Sequence, residues 1–298
     1  MHDLELGNWH VLLGLSRDSA ALDLGCGFGS LALGLRKYYR SVVGIDTLPS
    51  RLEYASLRAQ QDGRTGNLFA RASGLELPFR AGSFDLVTLN GVLEWAGLNA
   101  KGDPRKLQVK MLSEARRTLA PAGVVAVAIE NRFAMETLAG MHDTHTGLPF
   151  VPALPRTVAD QIVRAVRKEP FRTYLYDRPG YVKLALKAGF ERARVFDLVS
   201  SYNDYDYVID THDAASYRFL WSRDAVRTFY RRAGSARRAI ATLARQRSPR
   251  LLMRICCWPA IPPLPRSTRA IPSGARQCST ASTPDRHALR AKERKSAR

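Results

Sequence analysis

The sequence has few cysteines, no long apolar run and few acids in its last quarter. Its four cysteines, Cys26, Cys256, Cys257 and Cys278, show neither metal-ligand spacing nor a CxxC pair, and two are adjacent. This pattern argues against a disulfide framework, so we expect reduced thiols, a cytoplasmic protein and no metal site. The apolar runs are too short to span a bilayer. The N-terminal MHDLELGNWH lacks a basic segment before an apolar core, so no secretory leader is expected.

Charge is divided unevenly along the 298 residues. Residues 1–220 contain 27 Lys+Arg and 24 Asp+Glu, whereas residues 221–298 contain 19 and 3. Of the net charge of +19, the C-terminal part therefore carries 19 − 3 = +16. From Pro259 onward Pro, Ser, Thr, Arg and Ala dominate without an apolar pattern, which predicts a disordered basic tail over 259–298. Such a tail is either a solvated segment or an electrostatic contact for nucleic acid or an anionic membrane.

Apolar runs alternate with segments of helical pattern over residues 20–130. The runs that predict strands are AALDLG (20–25), SVVGID (41–46), NLFARA (67–72), FDLVTLN (84–90) and GVVAVAIE (123–130). The last two are almost continuously apolar, as in parallel strands covered on both faces. The segments between them predict helices over 30–39, 49–63 and 103–123. This alternation predicts an α/β fold, a Rossmann-like doubly wound and mostly parallel sheet.

The pattern changes after the fifth strand. Residues 131–178 contain four prolines and short helical stretches, which predicts an insertion beside the active-site edge. The segments predicted after it are a helix (179–190), a sixth strand (191–200), an aromatic acidic loop (201–210), a helical addition (211–248) and a final edge strand (250–258). We therefore expect one domain over 1–258, with a seven-stranded sheet, followed by the tail.

The stretch ALDLGCGFGSLALGL places Gly25, Gly27 and Gly29 between a strand and a helix, with Asp23 two residues before the first glycine. A glycine-rich turn by itself serves several ligands. A triphosphate loop needs a lysine after its last glycine, and here Ser-Leu follows. The dinucleotide fingerprint has the spacing GxGxxG, and an acid at this place would repel a pyrophosphate. The loop instead favours a ligand with an ammonium or a sulfonium.

LDLGCGFG (22–29) resembles the first motif of the class I S-adenosylmethionine-dependent methyltransferases, and further motifs of the family follow in order. ASGLELPF (72–79) resembles the loop after the third strand. SFDLVTLNGVLEWAG (83–97) resembles the fourth strand and its exit, and LAPAG (119–123) the turn before the fifth strand. The resemblance covers roughly residues 20–200 and implies S-adenosyl-L-methionine as the cofactor.

The resemblance also implies which residues bind this cofactor. A carboxylate at the end of the second strand, Asp46, accepts both ribose hydroxyls, and Asn90 lies where the methionine moiety passes. Ser73 stands where the family commonly has an acid against adenine, so contact there is expected through a hydroxyl and the backbone. The full set is Asp23, Gly25, Cys26, Gly27, Gly29, Asp46, Thr47, Ser73, Gly74 and Asn90.

IENRFAMETLAGMHDTHTGLPFVPALPR (129–156) resembles a narrower group of bacterial methyltransferases that carry NRF…G…DxHTGLPF after the fifth strand. Members of this group are often associated with the synthesis of cell-surface glycans or other glycosylated products. SYNDYDYVID (201–210) fits the same group. The resemblance implies a glycan or other small molecule as the acceptor, methylated on oxygen.

An oxygen nucleophile needs a base near it, and alignment of the reactants contributes much of the rate. His145 titrates near neutrality when unperturbed, so His145 with Asp143 is the predicted catalytic pair. The alternative is a histidine that fixes its loop by a hydrogen bond to Asp143 or Thr146. The predicted substrate-binding residues are Asn131, Arg132, Tyr202 and Asn203. For Arg132, binding of an acceptor carboxylate or phosphate competes with a role in holding the insertion.

Two other functions stay open. An RNA or protein methyltransferase steered by the basic tail is one, but the rest of the chain is nearly neutral and no NPPY-type sequence follows the fourth strand. A non-catalytic module that binds S-adenosylmethionine is the other, and the intact glycine loop and Asp46 disfavour it. The abrupt loss of apolar pattern after Trp258 is also what a change of reading frame produces.

Overall fold

The computed structural model describes residues 6–63, 67–98, 100–138, 140–199, 203, 205 and 207–220. Its main unit is a five-stranded sheet in the order β3-β2-β1-β4-β5. The strands are β1 (Ala20–Leu24), β2 (Ser41–Asp46), β3 (Asn67–Arg71), β4 (Phe84–Asn90) and β5 (Leu119–Ala128). All four pairings are parallel. This order confirms the doubly wound arrangement, and the strand order reverses between β1 and β4, whose carboxyl ends are where ligands bind in sheets of this kind.

The three crossover helices begin where the sequence predicts. They are α1 (Ser30–Leu35), α2 (Pro49–Gln61) and α3 (Pro104–Thr118). The Asp103 side chain caps α3 by accepting the backbone N–H of Arg105 at 2.9 Å. The first helix is shorter than predicted, because backbone hydrogen bonds from Lys37 to Gly34 and from Tyr38 to Leu35 tighten the chain into turns.

Two apolar clusters cover the two faces of the sheet. Neighbouring residues on a strand point to opposite faces, so they join different clusters. On β1, Leu22 and Leu24 join one cluster with residues of α3, whereas Ala21 joins the other with residues of α1. On β4, Val87 belongs to the cluster that contains Leu22, and Leu86 belongs to the cluster that contains Ala21. The apolar continuity of these strands therefore reflects burial on both sides.

The predicted turn over 119–123 lies inside β5. Phe84 is opposite Leu119 and Leu86 is opposite Val124, so β5 carries extra residues between these pairs and bulges there. The LAPAG segment is thus an irregular opening of the strand instead of a separate turn.

The segment after β5 contains α4 (Met135–Leu138), a 3-10 helix (Val151–Ala153) and α5 (Arg156–Arg167). It has a small apolar cluster of its own, formed by Val151, Ala159, Val163 and Phe171. Among the helices of the described residues, none is both long and apolar enough to cross a lipid bilayer.

The chain continues with α6 (Arg178–Lys187), β6 (Phe196–Val199), β7 (Tyr207–Asp210) and α7 (Ala214–Leu220). The prediction of a loop throughout 201–210 was wrong at its end, because residues 207–210 form a strand with alternating buried residues. β6 and β7 pair antiparallel in a separate two-stranded sheet, so the described strands form sheets of five and two instead of one of seven. The predicted edge strand (250–258), most of the helical addition and the tail lie outside the described residues.

Candidate functional site

The glycine loop between β1 and α1 is held against the end of β2. The backbone N–H groups of Gly25 and Cys26 both donate to the carbonyl of Ile45, at 2.8 and 2.9 Å. Gly25, Gly27 and Gly29 have φ angles of 74°, 53° and 79°, in the left-handed region that favours glycine. The spacing GxGxG therefore encodes a backbone path that other residues adopt only with strain.

The three glycines differ in what surrounds them. A Cβ on Gly25 would lie 2.5 Å from Val92 Cγ2, and one on Gly29 would lie 2.9 Å from Ala55 Cβ. A Cβ on Gly27 would meet nothing within 4 Å. The outer two glycines thus permit close packing, whereas the middle one faces open space at the carboxyl edge of the sheet, where a ligand fits.

Asp23 is a buried acid with an incomplete set of partners. Its side chain is 2% exposed, and Oδ1 accepts a hydrogen bond from the Thr88 hydroxyl at 2.8 Å. Oδ2 is buried without a hydrogen-bond partner among the described residues. Burial raises the pKa of Asp23 to about 6, against the hydrogen bond from Thr88 and the nearby N–H of Ala32, and with the help of Asp46. A carboxylate in this state gains most from a cationic ligand group.

Asp46 ends β2 and is fixed by the backbone on both sides. Oδ2 accepts the N–H of Gly27 at 3.1 Å, and Oδ1 accepts the N–H of Leu48 at 3.0 Å. Arg51 Nη1 lies 3.7 Å from Oδ2. Since a carboxylate has about four lone-pair sites, Asp46 can also accept hydroxyl groups of a ligand beside the loop.

Cys26 and Gly74 are closely packed, and their predicted contacts with the cofactor stay predictions. A Cβ on Gly44 would lie 3.0 Å from Cys26 Sγ, and one on Gly74 would lie 2.7 Å from Leu24 Cδ2. Burial, and then the nearby acids Asp23 and Asp46, raises the pKa of the Cys26 thiol far above its ordinary value. Cys26 is therefore a small apolar filler of the loop and not a nucleophile.

Ser73 and Thr47 lie exposed at the same edge of the sheet. The Ser73 hydroxyl accepts the N–H of Leu75 at 3.2 Å, which forms a local turn. The carbonyl of Thr47 accepts a hydrogen bond from Arg71 Nε at 3.2 Å. Their predicted contacts with the cofactor stay predictions.

Asn90 and Asn203 meet although they are far apart in the chain. Asn90 ends β4, and its Nδ2 donates to Asn203 Oδ1 at 3.1 Å. A predicted cofactor residue and a predicted substrate residue thus lie side by side at the carboxyl edge. Tyr202, the other predicted substrate residue of that segment, lies outside the described residues.

Asn131 and Arg132 organise the segment that follows β5. Asn131 Oδ1 accepts the N–H of Phe133 at 2.9 Å. Arg132 Nη2 donates to the carbonyls of Ala153 and Leu154, at 3.1 and 2.8 Å. These contacts correspond to the alternative in which Arg132 holds the insertion, and the substrate-binding role stays a prediction.

His145 and Asp143 form a buried pair, with side chains 3% and 5% exposed. Nδ1 of His145 lies 3.0 Å from Asp143 Oδ1, and Asp143 Oδ2 accepts both the N–H and the hydroxyl of Thr146 at 2.7 Å. Burial by itself would raise the pKa of Asp143, but the hydrogen bonds from His145 and Thr146 lower it below its ordinary value. The pair therefore fixes its own turn, as in the alternative role, and the base role stays a prediction.

Glu94 is a residue that sequence reasoning missed. It lies in a 3-10 helix (Leu93–Gly97) after β4, with its side chain 1% exposed and Oε1 3.8 Å from His145 Nε2. Burial lowers the pKa of His145, but Asp143, Glu94 and Glu130 outweigh it and raise that pKa to about 9. The available signal was the single acid in the apolar run LNGVLEWAG.

Residues 22–127 match the family model described as a methyltransferase domain. The matched region begins in β1 and ends in β5, so it contains the glycine loop, Asp46 and Asn90.

Two curated relatives align with part of the chain. The demethylmenaquinone methyltransferase of Lactococcus lactis is 31% identical over 132 residues, which cover 43% of this chain and 48% of that protein. The erythromycin 3''-O-methyltransferase of Saccharopolyspora erythraea is 34% identical over 119 residues, 38% of this chain and 35% of that protein. The chain thus spans about half or less of the length of these two relatives.

A solved structure of an S-adenosylmethionine-dependent methyltransferase from Methanosarcina mazei is also similar. It is 20% identical, covers 64% of this chain and 89% of that chain, and has a TM-score of 0.47.

Residues 22–127 are thus similar to a methyltransferase domain. S-adenosylmethionine, the cofactor that the sequence motifs imply, fits the residues present. The open space beside Gly27, the Asp23 Oδ2 that lacks a partner among the described residues, and the carboxylate of Asp46 are features that a cationic ligand with ribose hydroxyls would use.

Proposed function

We propose that this protein transfers the methyl group of S-adenosylmethionine to an oxygen of a glycan or other small-molecule acceptor. The observation that carries the proposal is the buried carboxylate of Asp23, whose Oδ2 has no partner among the described residues. Burying a carboxylate oxygen without a partner is costly, and a cationic ligand group beside it would offset this cost. The positive charge of bound S-adenosylmethionine would be such a group.

The residues have separate tasks in this proposal. Asp23 attracts the positively charged end of the cofactor, Asp46 accepts its ribose hydroxyls, and Gly27 leaves room for it. When bound, the cofactor supplies a methyl group activated by the sulfonium. Because in-line transfer depends on alignment, the rigid loop and the fixed Asp46 carboxylate contribute by orientation.

The acceptor class is supported by the resemblance of 129–156 and by the names of the two relatives, neither of which refers to a nucleic acid or a protein. Asn203 beside Asn90, together with the segment after β5, provides the side chains that would face an acceptor. Asn131, Arg132 and Tyr202 are the other proposed acceptor contacts. We assign the reaction to the cytoplasm because the cysteine pattern is typical of reduced proteins.

Labelled methyl transfer to a panel of sugars, nucleotide sugars, phenols and RNA, followed by mass spectrometry, tests this function. Gly27→Arg should abolish turnover and binding of S-adenosylhomocysteine by filling the open space. Gly82→Arg is the matched control, because Gly82 also has a positive φ of 74° and open surroundings but lies in the turn before β4. No uptake of S-adenosylmethionine or S-adenosylhomocysteine by the unaltered chain would refute the proposal.

The basic tail favours RNA as a second acceptor class, since residues 221–298 carry 19 Lys+Arg and 3 Asp+Glu. Deletion of residues 259–298 distinguishes a small-molecule acceptor from an RNA acceptor. If the acceptor is a small molecule, turnover should persist after the deletion. If it is RNA, methylation and salt-dependent RNA affinity should fall together.

A further inference from the structure

A second group of polar side chains lies beside the proposed methyl-transfer site. Glu94 follows β4, Glu130 follows β5, and His145 comes from the segment beyond. One carboxylate oxygen of each glutamate and a ring nitrogen of His145 all lie within 4.8 Å of one another. Since β4 and β5 are neighbours, their carboxyl ends bring these residues together although no sequence motif links them.

One buried carboxylate oxygen of the cluster lacks a hydrogen-bond donor among the described residues. Glu94 is 1% exposed, and its Oε2 has no hydrogen-bond partner among the described residues. Leaving a buried carboxylate oxygen unpaired is costly, and nearby Glu130 adds a second carboxylate. An additional positive group would remove this cost.

The histidine is oriented as a metal ligand would be. Its Nδ1 pairs with Asp143 Oδ1 at 3.0 Å, while Nε2 faces the Glu94 carboxylate at 3.8 Å. Metal-binding histidines commonly donate their second ring N–H to a carboxylate, which fixes the tautomer and the ring plane. Asp143 is itself held by the N–H and hydroxyl of Thr146, so the orientation is rigid.

The composition of the group also favours a cation. Three of these four side chains carry carboxyl groups and one carries an imidazole, so the group is rich in the oxygen and nitrogen donors that bind metal ions. Two carboxylates and one imidazole suit a first-row divalent ion such as Mn²⁺ or Zn²⁺.

We propose that Glu94, Glu130 and His145 bind a divalent metal ion, with Asp143 as the residue that positions His145. The sequence predicted no metal site, because these ligands follow no recognisable spacing. The site does not depend on the proposed methyl transfer. In it, Nε2 is a ligand and is therefore unable to act as the base predicted from the sequence.

Mn²⁺ is the suitable ion for the test, because the chain's four cysteines would compete for Zn²⁺. Electron paramagnetic resonance of the full chain titrated with Mn²⁺ should show one bound equivalent. Spin-echo modulation of the bound ion should show coupling to a ¹⁴N nucleus, which reports the imidazole. Absence of saturable binding, or bound Mn²⁺ without nitrogen coupling, overturns the proposal, and both results come from the unaltered protein.

Variants then assign the ligands. Glu94→Gln and His145→Gln should weaken Mn²⁺ binding at least tenfold, and Asp143→Asn should weaken it by about 10- to 100-fold. Asp160→Asn is the matched control, because this carboxylate pairs with Arg164 and accepts the N–H of Phe171, and it is not among the proposed ligands. Equal Mn²⁺ affinity of folded Glu94→Gln and the unaltered chain contradicts the assignment. Binding of S-adenosylhomocysteine, measured in parallel, reports on the proposed cofactor site. Failure of the metal-site proposal can therefore be distinguished from failure of the methyl-transfer proposal.

Discussion

The carboxylate of Asp46 accepts the backbone N–H of Gly27 at 3.1 Å. This contact joins the end of β2 to the middle of the glycine loop. It fixes the loop beside the Asp46 carboxylate. Asp46 Oδ2, which accepts this hydrogen bond, is also part of the proposed ribose-binding site.

Asp46→Asn should weaken binding of S-adenosylhomocysteine at least tenfold and destabilise the fold by about 1–2 kcal/mol. The amide nitrogen that replaces one carboxylate oxygen would face a backbone N–H of Gly27 or Leu48. Calorimetry measures the affinity and urea unfolding the stability. Asp85→Asn is the control: Asp85 Oδ2 accepts the N–H of Ala20 at 2.9 Å, so stability should fall while affinity persists.

Asp23→Asn should stabilise the protein without ligand by about 3 kcal/mol at neutral pH, because Asp23 has a pKa of about 6 against an ordinary value of 3.8. The folded state binds the proton more tightly than the unfolded state. The stabilising contribution is therefore present below pH 4 and is lost as pH rises through 6. The gain in Asp23→Asn should vanish near pH 4. Asp18→Asn, at an exposed site, is the control variant for the urea unfolding measurements.

Affinity for S-adenosylhomocysteine should rise as pH increases from 5 to 7.5. Above its pKa of about 6, Asp23 is charged and would attract the ammonium of a ligand bound in the proposed site. Titration calorimetry across this range measures the effect. In Asp23→Asn the affinity should be weaker and nearly independent of pH, and an unchanged slope would show that another group is responsible.

Gly29→Ala should cost more stability than Gly82→Ala. Both positions have a positive φ, of 79° and 74°, so each alanine pays about 1–2 kcal/mol for the left-handed conformation. A Cβ at Gly29 also lies 2.9 Å from Ala55 Cβ, whereas the space around Gly82 is open. Chemical denaturation of both variants compares the two costs, and equal losses would mean that Ala55 moves aside freely.

Gln108→Leu should destabilise the protein by about 3 kcal/mol. Gln108 is fully buried; its Nε2 donates to the carbonyls of Leu93 and Tyr174, and its Oε1 accepts from the Tyr176 hydroxyl. The substitution leaves these groups without partners. Gln60→Leu, on the exposed side of α2, should change the free energy of unfolding by less than about 0.5 kcal/mol.

The fold of residues 20–128 could be predicted because its signals are local. Apolar runs, Pro49 and the Asp103-Pro104 pair fix strands and helix starts by backbone and capping preferences. Beyond β5, the helix predicted over 179–190 and part of the strand predicted over 191–200 are present as α6 and β6, but a strand at 207–210 was not predicted. The strand at 207–210 lies in an aromatic, acidic stretch, and only its pairing with β6 shows which residues are buried.

The sequence by itself determined the parallel sheet, the glycine loop and the identity of the acids that flank it, because spacing along one strand–loop–helix unit decides them. Only the tertiary structure decided which of these groups lack partners. Within the described part of the chain, Asp23 Oδ2 and Glu94 Oε2 are buried without a hydrogen-bond donor, and this depends on how distant segments pack around them. Likewise, the ends of β4 and β5 are neighbours in the sheet, and this helps to bring together Glu94, Glu130 and His145. No local sequence pattern indicates that these residues lie close together.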